Sequence, residues 1–114
     1  MALEKENEYI EIQAVIDAFE IIGGKWKFPI IYSLCKGKLR FKELEKELKG
    51  ISPKALSNAL KDLEINGLIS RTVFPTVPIT VEYALTEYGK DLKPVLLAIQ
   101  KWGKKHREKV ITGI

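Results

Sequence analysis

ISPKALSNALKDLEINGLISR, Ile51 to Arg71, is the stretch that decides the fold. Ser52 offers a side-chain oxygen to the free amides of a first helical turn, and Pro53 suits the first helical position, where its missing N–H costs nothing. Leu56, Ala59, Leu60 and Leu63 recur at three- and four-residue spacing and make one apolar face. Lys54, Ser57, Asn58 and Lys61 fall on the opposite face, and Gly67 is a stop signal just past Asn66. The outward face thus carries two cations, a hydroxyl and a carboxamide. Asn is suited to adenine, and Lys to guanine or phosphate. An ordinary solvated helix face is also rich in Lys, Ser and Asn, so the helix alone leaves both readings open. Ile65 projects toward the polar side and is expected past the useful end of the helix, packed beneath whatever follows.

Just before this stretch, RFKELEKELKG (40–50) places Phe41, Leu44 and Leu48 inward and ends at Gly50. Together with the first stretch it predicts a helix-turn-helix pair over 40–66, turning at Lys49 to Ser52. Leu68 to Phe74 and Val81 to Leu85 read as two strands, and the proline-marked PTVP (75–78) between them as a hairpin tip. This is a wing, at 68–85. Upstream, Ile12, Val15, Ile16, Phe19 and Ile22 recur at helical spacing from about Tyr9, and Gly23 and Gly24 break the pattern. A second helix is expected over Lys25 to Cys35, with Pro29 tightening its start and Ile30, Ile31, Leu34 and Cys35 sharing a buried stripe. Thr86 caps a long last helix with Leu92, Val95, Leu96, Ile99 and Trp102 along one side, bent near its first third by Pro94. The fold class is mainly α with a small β-hairpin: a winged helix-turn-helix in a single domain, 1–114.

The whole chain limits the chemistry. Its 114 residues support one domain, and Lys and Arg exceed Asp and Glu to give a net charge of +4, compatible with a polyanionic partner. No apolar run is long enough for a membrane span and no secretory signal opens the chain, so a cytoplasmic protein with no membrane partner is expected. One cysteine, Cys35, rules out an intramolecular disulfide and a thiolate-rich metal site. The one histidine, His106, lies in the polar KWGKKHREK segment and is expected to be solvated. With no Gly-rich phosphate loop either, there is no catalytic set, no metal site and no expected cofactor.

Several signposts in order then resemble a known family: IIGGKWKFPII (21–31), LRFKELEKELKGISPKALSNALKDLEINGLISR (39–71), VFPTVPITVEYALTEYGKDL (73–92) and the late KWG (101–103). From Ile16 to Trp102 the chain resembles the HxlR-type regulators, winged-helix transcription factors related to the MarR type. The resemblance implies a homodimer, held by helices at about 9–22 and 86–111, on a two-fold symmetric site in double-stranded DNA. It implies repression as the commoner outcome. The apolar surface of the two terminal helices points to the same interface, through Ile12, Val15, Ile16, Phe19, Leu96, Ile99 and Trp102. The bland alternative has both helices packing on their own core.

Many members of this family carry a Cys-Pro pair before the first helix, and in some it senses oxidants or electrophiles. By spacing from Lys25 and Trp26 the pair falls near Ile12 and Gln13, where this chain has no cysteine. Thiol sensing is therefore not carried over, and no residue set identifies a small-molecule effector.

The expected DNA contacts are Ser52, Lys54, Ser57, Asn58 and Lys61 at the major groove, and Arg40 and Lys42 on phosphates. Arg71, Thr76 and Thr80 are expected to carry the wing to the backbone or flanking minor groove. Arg40 has Glu43 or Glu64 as rival partners, and Arg71 has Glu82. A winged module that binds protein instead of DNA is the other reading. It calls for an apolar outer face on the fourth helix, unlike the one found here.

Overall fold

Leucines at positions 44, 48, 56, 60, 63 and 68 all turn into one core, and their placement sets the geometry of the molecule. The computed structural model describes residues 11–113. The elements are α1 (Ile12–Ile22), α2 (Lys27–Cys35), β1 (Leu39–Arg40), α3 (Phe41–Glu47), α4 (Pro53–Ile65), β2 (Ile69–Phe74), β3 (Thr80–Leu85), α5 (Glu87–Lys90) and α6 (Lys93–Thr112). The expected start of the first helix at Tyr9 lies outside the described residues.

The core joins Ile30, Ile31 and Leu34 of α2 to Leu44 of α3, Leu56, Leu60 and Leu63 of α4, and Ile69 and Tyr83 of the sheet. Each fully buried aliphatic side chain contributes roughly 1.5–3 kcal/mol. Trp26 and Phe28 pack half-buried against its margin, with the Lys25 Nζ 5.0 Å from the Trp26 ring centroid.

Four expectations need correction. The wing is part of a three-stranded antiparallel sheet in the order β1-β3-β2, not a lone hairpin. β1 has only two residues, pairing Leu39 with Tyr83 and Arg40 with Glu82, and is too short to show the alternation by which a strand is read. The second helix starts at Lys27 rather than Lys25, because Gly24 (φ +91°) and the bend after it delay the first turn. Cys35 is only half-buried, at the last position of α2, where that helix runs out of the core.

The fourth correction concerns the C-terminal helix. It does not bend at Pro94; it is broken earlier, into α5 and α6, with Asp91 and Leu92 between. Pro94 is then the second residue of α6, where it has no helical hydrogen bond to lose. Thr86 caps α5 as expected, its Oγ1 accepting from the Gly89 N–H at 3.0 Å. Gly89 is buried against the Leu68 backbone, and a Cβ at that position would collide with the Leu68 carbonyl oxygen.

Beyond its anchoring first turns, α6 buries nothing. Leu96 is half-buried against the core, while Ile99, Trp102, Val110 and Ile111 are exposed. The Cα radius of gyration is 17.0 Å, against about 13 Å for a compact domain of 100 residues, as expected when α1 and α6 both keep most of their length outside the core. Gly89→Ala should therefore cost more than about 2 kcal/mol of unfolding free energy in urea, since the obstacle is backbone and cannot rotate aside. An unchanged midpoint would mean that α5 does not sit against Leu68.

Candidate nucleic-acid interface

The candidate interface is built on α4, and both ends of that helix are fixed by local chemistry. At its start, the Ser52 Oγ accepts from the Ala55 N–H at 3.0 Å, and Pro53 opens the first turn. At its end, the Asn66 N–H and its Nδ2 both donate to the Asp62 carbonyl, at 3.1 and 2.9 Å. Gly67 takes φ +76°, and the Leu68 N–H reaches back to the Leu63 carbonyl at 3.0 Å. That is the Schellman geometry, which only a residue tolerant of positive φ allows cheaply.

The turn before α4 is equally constrained. Leu48 and Ile51 are buried on either side of Lys49 and Gly50, and Gly50 takes φ +92° between them. The Leu48 N–H donates to the Leu44 carbonyl at 2.9 Å, and the Ile51 N–H to the Leu48 carbonyl at 3.1 Å. Before α3, the Glu43 carboxylate accepts from the Arg40 backbone N–H at 2.8 Å.

With Leu56, Ala59, Leu60 and Leu63 inward, the structure leaves Lys54, Ser57, Asn58 and Lys61 exposed. Neither Lys54 nor Lys61 has a carboxylate partner among the described residues, whereas five other lysines do. Lys42 lies in a weak i,i+3 pair with Glu45 at 3.6 Å, and Lys27 is paired with Asp62, also at 3.6 Å, on the flank of α4. Among the described residues, the carboxyl groups held below their ordinary range are Glu47, by the hydrogen bond from Lys36, and Glu87, by that from Lys90. None of these four residues belongs to α4.

The rival partners suggested by the sequence are not realised. Glu43 is given to the Arg40 backbone rather than to its guanidinium, and Glu82 pairs with Lys38 at 3.5 Å rather than with Arg71. In the β2–β3 register Arg71 lies opposite Tyr83, so alternation puts it on the sheet face that Ile69 and Tyr83 turn toward the core. Arg40, Thr76 and Thr80 gather elsewhere, around a shallow depression shared with Lys38, Phe74 and Glu82.

The two wing threonines are also engaged with each other. The Thr76 hydroxyl donates to the Pro78 carbonyl at 2.7 Å and lies 3.0 Å from the Thr80 hydroxyl, which is left as the donor of that pair. Both protons are thus spent on the shape of the tip.

Sequence reasoning placed Ile65 beneath the wing, and the structure does not. It is 74% exposed, on the same outer face as Lys54, Asn58 and Lys61, because the helix continues through it. The hairpin tip falls at PTVP as expected, but its apolar exposure was missed: Val77 is fully exposed and Ile79 is 69% exposed, in a run from Val73 to Val81 that has no charged side chain. The proximity of these apolar residues to Pro75 and Pro78 was the available signal. His106 is exposed as expected, but it stacks on Trp102 with ring centroids 5.0 Å apart.

Besides the shared core, a side chain of the wing is bonded to the end of α4. The Thr86 Oγ1 donates to the Gly67 carbonyl at 2.6 Å, and its N–H donates to the Leu68 carbonyl at 3.1 Å. A helix-turn-helix with its second helix displayed, and a sheet fastened to the end of that helix, define a winged helix DNA-binding protein.

Comparison with known proteins then makes the class particular. Residues 21–111 match the model of the HxlR-like helix-turn-helix family, and the chain belongs to that family. It is 38% identical to the uncharacterised HTH-type transcriptional regulator YdeP of Bacillus subtilis over 110 residues, 96% of this chain and 86% of that protein. An uncharacterised HTH-type regulator of Methanothermobacter thermautotrophicus is 47% identical over 99 residues, 87% of this chain and 74% of its own length. A solved structure described as a MarR-family regulator from Enterococcus faecalis superposes with a TM-score of 0.75 at 32% identity, covering 95% of this chain and 99% of that one. The protein is a DNA-binding transcriptional regulator and not an enzyme.

The ends of α4 carry a prediction. Ser52→Ala removes a cap worth about 1 kcal/mol, and Gly67→Ala forces a Cβ into the left-handed region at about 1–2 kcal/mol. Urea unfolding of both variants should show these losses; wild-type stability for Gly67→Ala would rule out the helix end described above.

Proposed function

We propose that the protein acts in the cytoplasm as a sequence-specific repressor, a homodimer that places two copies of α4 in successive major grooves of a two-fold symmetric operator. The observation that carries this reading is the outer face of α4: Lys54, Asn58 and Lys61 exposed in line, with no carboxylate neutralising either lysine among the described residues. Cations left unpaired on a rigid rod suit a ladder of phosphates and base edges. Ser52 and Ser57 flank them, and the Ser52 hydroxyl, which accepts from Ala55, keeps its proton for a phosphate. Arg40 and Lys42 at the start of α3 meet the backbone, and Arg71, exposed on β2, reaches the backbone or the flanking minor groove. Thr76 and Thr80 contribute by fixing the tip more than by donating. A polar, cationic outer face is a poor fit to the protein-binding alternative.

The dimer reading is supported by the terminal helices. Phe19 on α1 is 66% exposed and Trp102 on α6 is 65% exposed, with Ile12, Val15, Ile16 and Ile99 also open. These side chains do not pack on the core of their own chain, which leaves a second copy as the fitting partner. Two recognition helices held about 34 Å apart then meet one face of a duplex.

Two measurements test the reading. Lys61→Ala should weaken binding to every sequence alike and flatten the dependence of log K on log salt by about one unit, while Asn58→Ala should cost about 1–3 kcal/mol at one position of each half-site. Gel shifts over a salt series, on an operator selected from random DNA, distinguish the two. An unchanged slope for Lys61→Ala, or a uniform loss for Asn58→Ala, contradicts the assigned role. For the dimer, Phe19→Asp should shift the species seen by sedimentation to half the mass, and a wild-type chain that sediments as one copy at micromolar concentration removes the proposal.

A further inference from the structure

A second site lies away from α4. Between the end of α2, strand β3 and the α5–α6 junction is a cleft of about 490 Å³. Among the described residues its walls carry four lysines, Lys36, Lys38, Lys90 and Lys93, and no acidic residue. Three of them have carboxylate partners that are not part of the lining: Glu47 for Lys36 at 3.0 Å, Glu82 for Lys38 at 3.5 Å and Glu87 for Lys90 at 2.8 Å. Lys93 has none among the described residues. The remaining wall is largely apolar, formed by Leu34, Ala84 and Leu85, with the half-buried Cys35 beside them.

We propose that this cleft binds a small molecule with an apolar body and one acidic group, a carboxylate seated on Lys93 and Lys90 with its body against Leu34, Cys35 and Leu85. The size is that of a small-molecule site and is too confined for a duplex. With three of its lysines paired, the positive excess of this concave surface comes from Lys93, and a concave apolar wall strengthens its pull on an anion. Exposed ion pairs such as Lys90–Glu87 are weak and exchange readily for a bound acid. Its apolar walls supply the contact for a ring or alkyl body. The cleft does not depend on the DNA-binding reading, and its test uses free protein.

Cys35 is the sole thiol in the chain and lines the cleft, so it reports directly on what enters. Its reaction with the dianionic aryl disulfide 5,5′-dithiobis(2-nitrobenzoate) is compared with that of neutral 4,4′-dithiodipyridine, each rate normalised to glutathione. The anionic reagent should be favoured, and the preference should fall by about tenfold in the Lys90→Glu/Lys93→Glu variant. Benzoate should slow both reagents on the wild-type protein and neither on the variant. Inorganic phosphate, with charge but no apolar body, should protect much less. No charge preference, no protection by benzoate, or equal protection by phosphate would each overturn the proposal. Protection is measured on the unaltered chain, so it stands even if the double variant is unstable.

Discussion

The burial of Leu56, Leu60 and Leu63 is the constraint on which the rest of the structure depends. These side chains are sealed against α2, α3 and the sheet, so α4 has no rotational freedom about its own axis. Once they are fixed, helical geometry alone turns Lys54, Asn58, Lys61 and Ile65 to the outside. The interface is therefore a consequence of the core. No network of polar contacts needs to aim the lysines, and among the described residues none does.

The second constraint is the joint between α4 and the wing. Gly67 ends the helix in a left-handed turn, β2 begins two residues later, and Thr86 returns from β3 to bond the Gly67 carbonyl. The same hydroxyl oxygen receives the Gly89 N–H at the start of α5. One threonine thus sets three directions at once: the end of the displayed helix, the base of the wing and the departure of the chain toward α6. Gly89 completes the joint, since only a residue without a Cβ lets α5 lie against the Leu68 backbone.

Much of this was legible in the sequence, because it rests on local rules. The Ser52–Pro53 start, the Gly67 stop and the leucine spacing of α4 are short-range signals, and the structure keeps each of them. The features that escaped depend on distant partners. β1 exists only because Tyr83 and Glu82 are presented to Leu39 and Arg40. The break at Asp91–Leu92 follows from the fit of α5 against Leu68, which no periodicity in residues 86–111 announces. Arg71 and Thr80 look alike as polar wing residues, yet pairing register places them on different faces of the sheet, and the Thr80 hydroxyl is held by Thr76. The lysine cleft gathers side chains from positions 36 to 93, too far apart for any motif to reveal.

The interruption at Asp91 and Leu92 has a mechanical consequence. α6 runs 20 residues, about 30 Å, without a fully buried side chain, and only its first turns are held, through Leu96 against the core. A tilt of about ten degrees about that anchor displaces its far end by about 4 Å, by simple leverage on the remaining length. Any rearrangement among Leu85, Gly89 and Leu92 would by that geometry be larger at Trp102 and the residues beyond it than where it began.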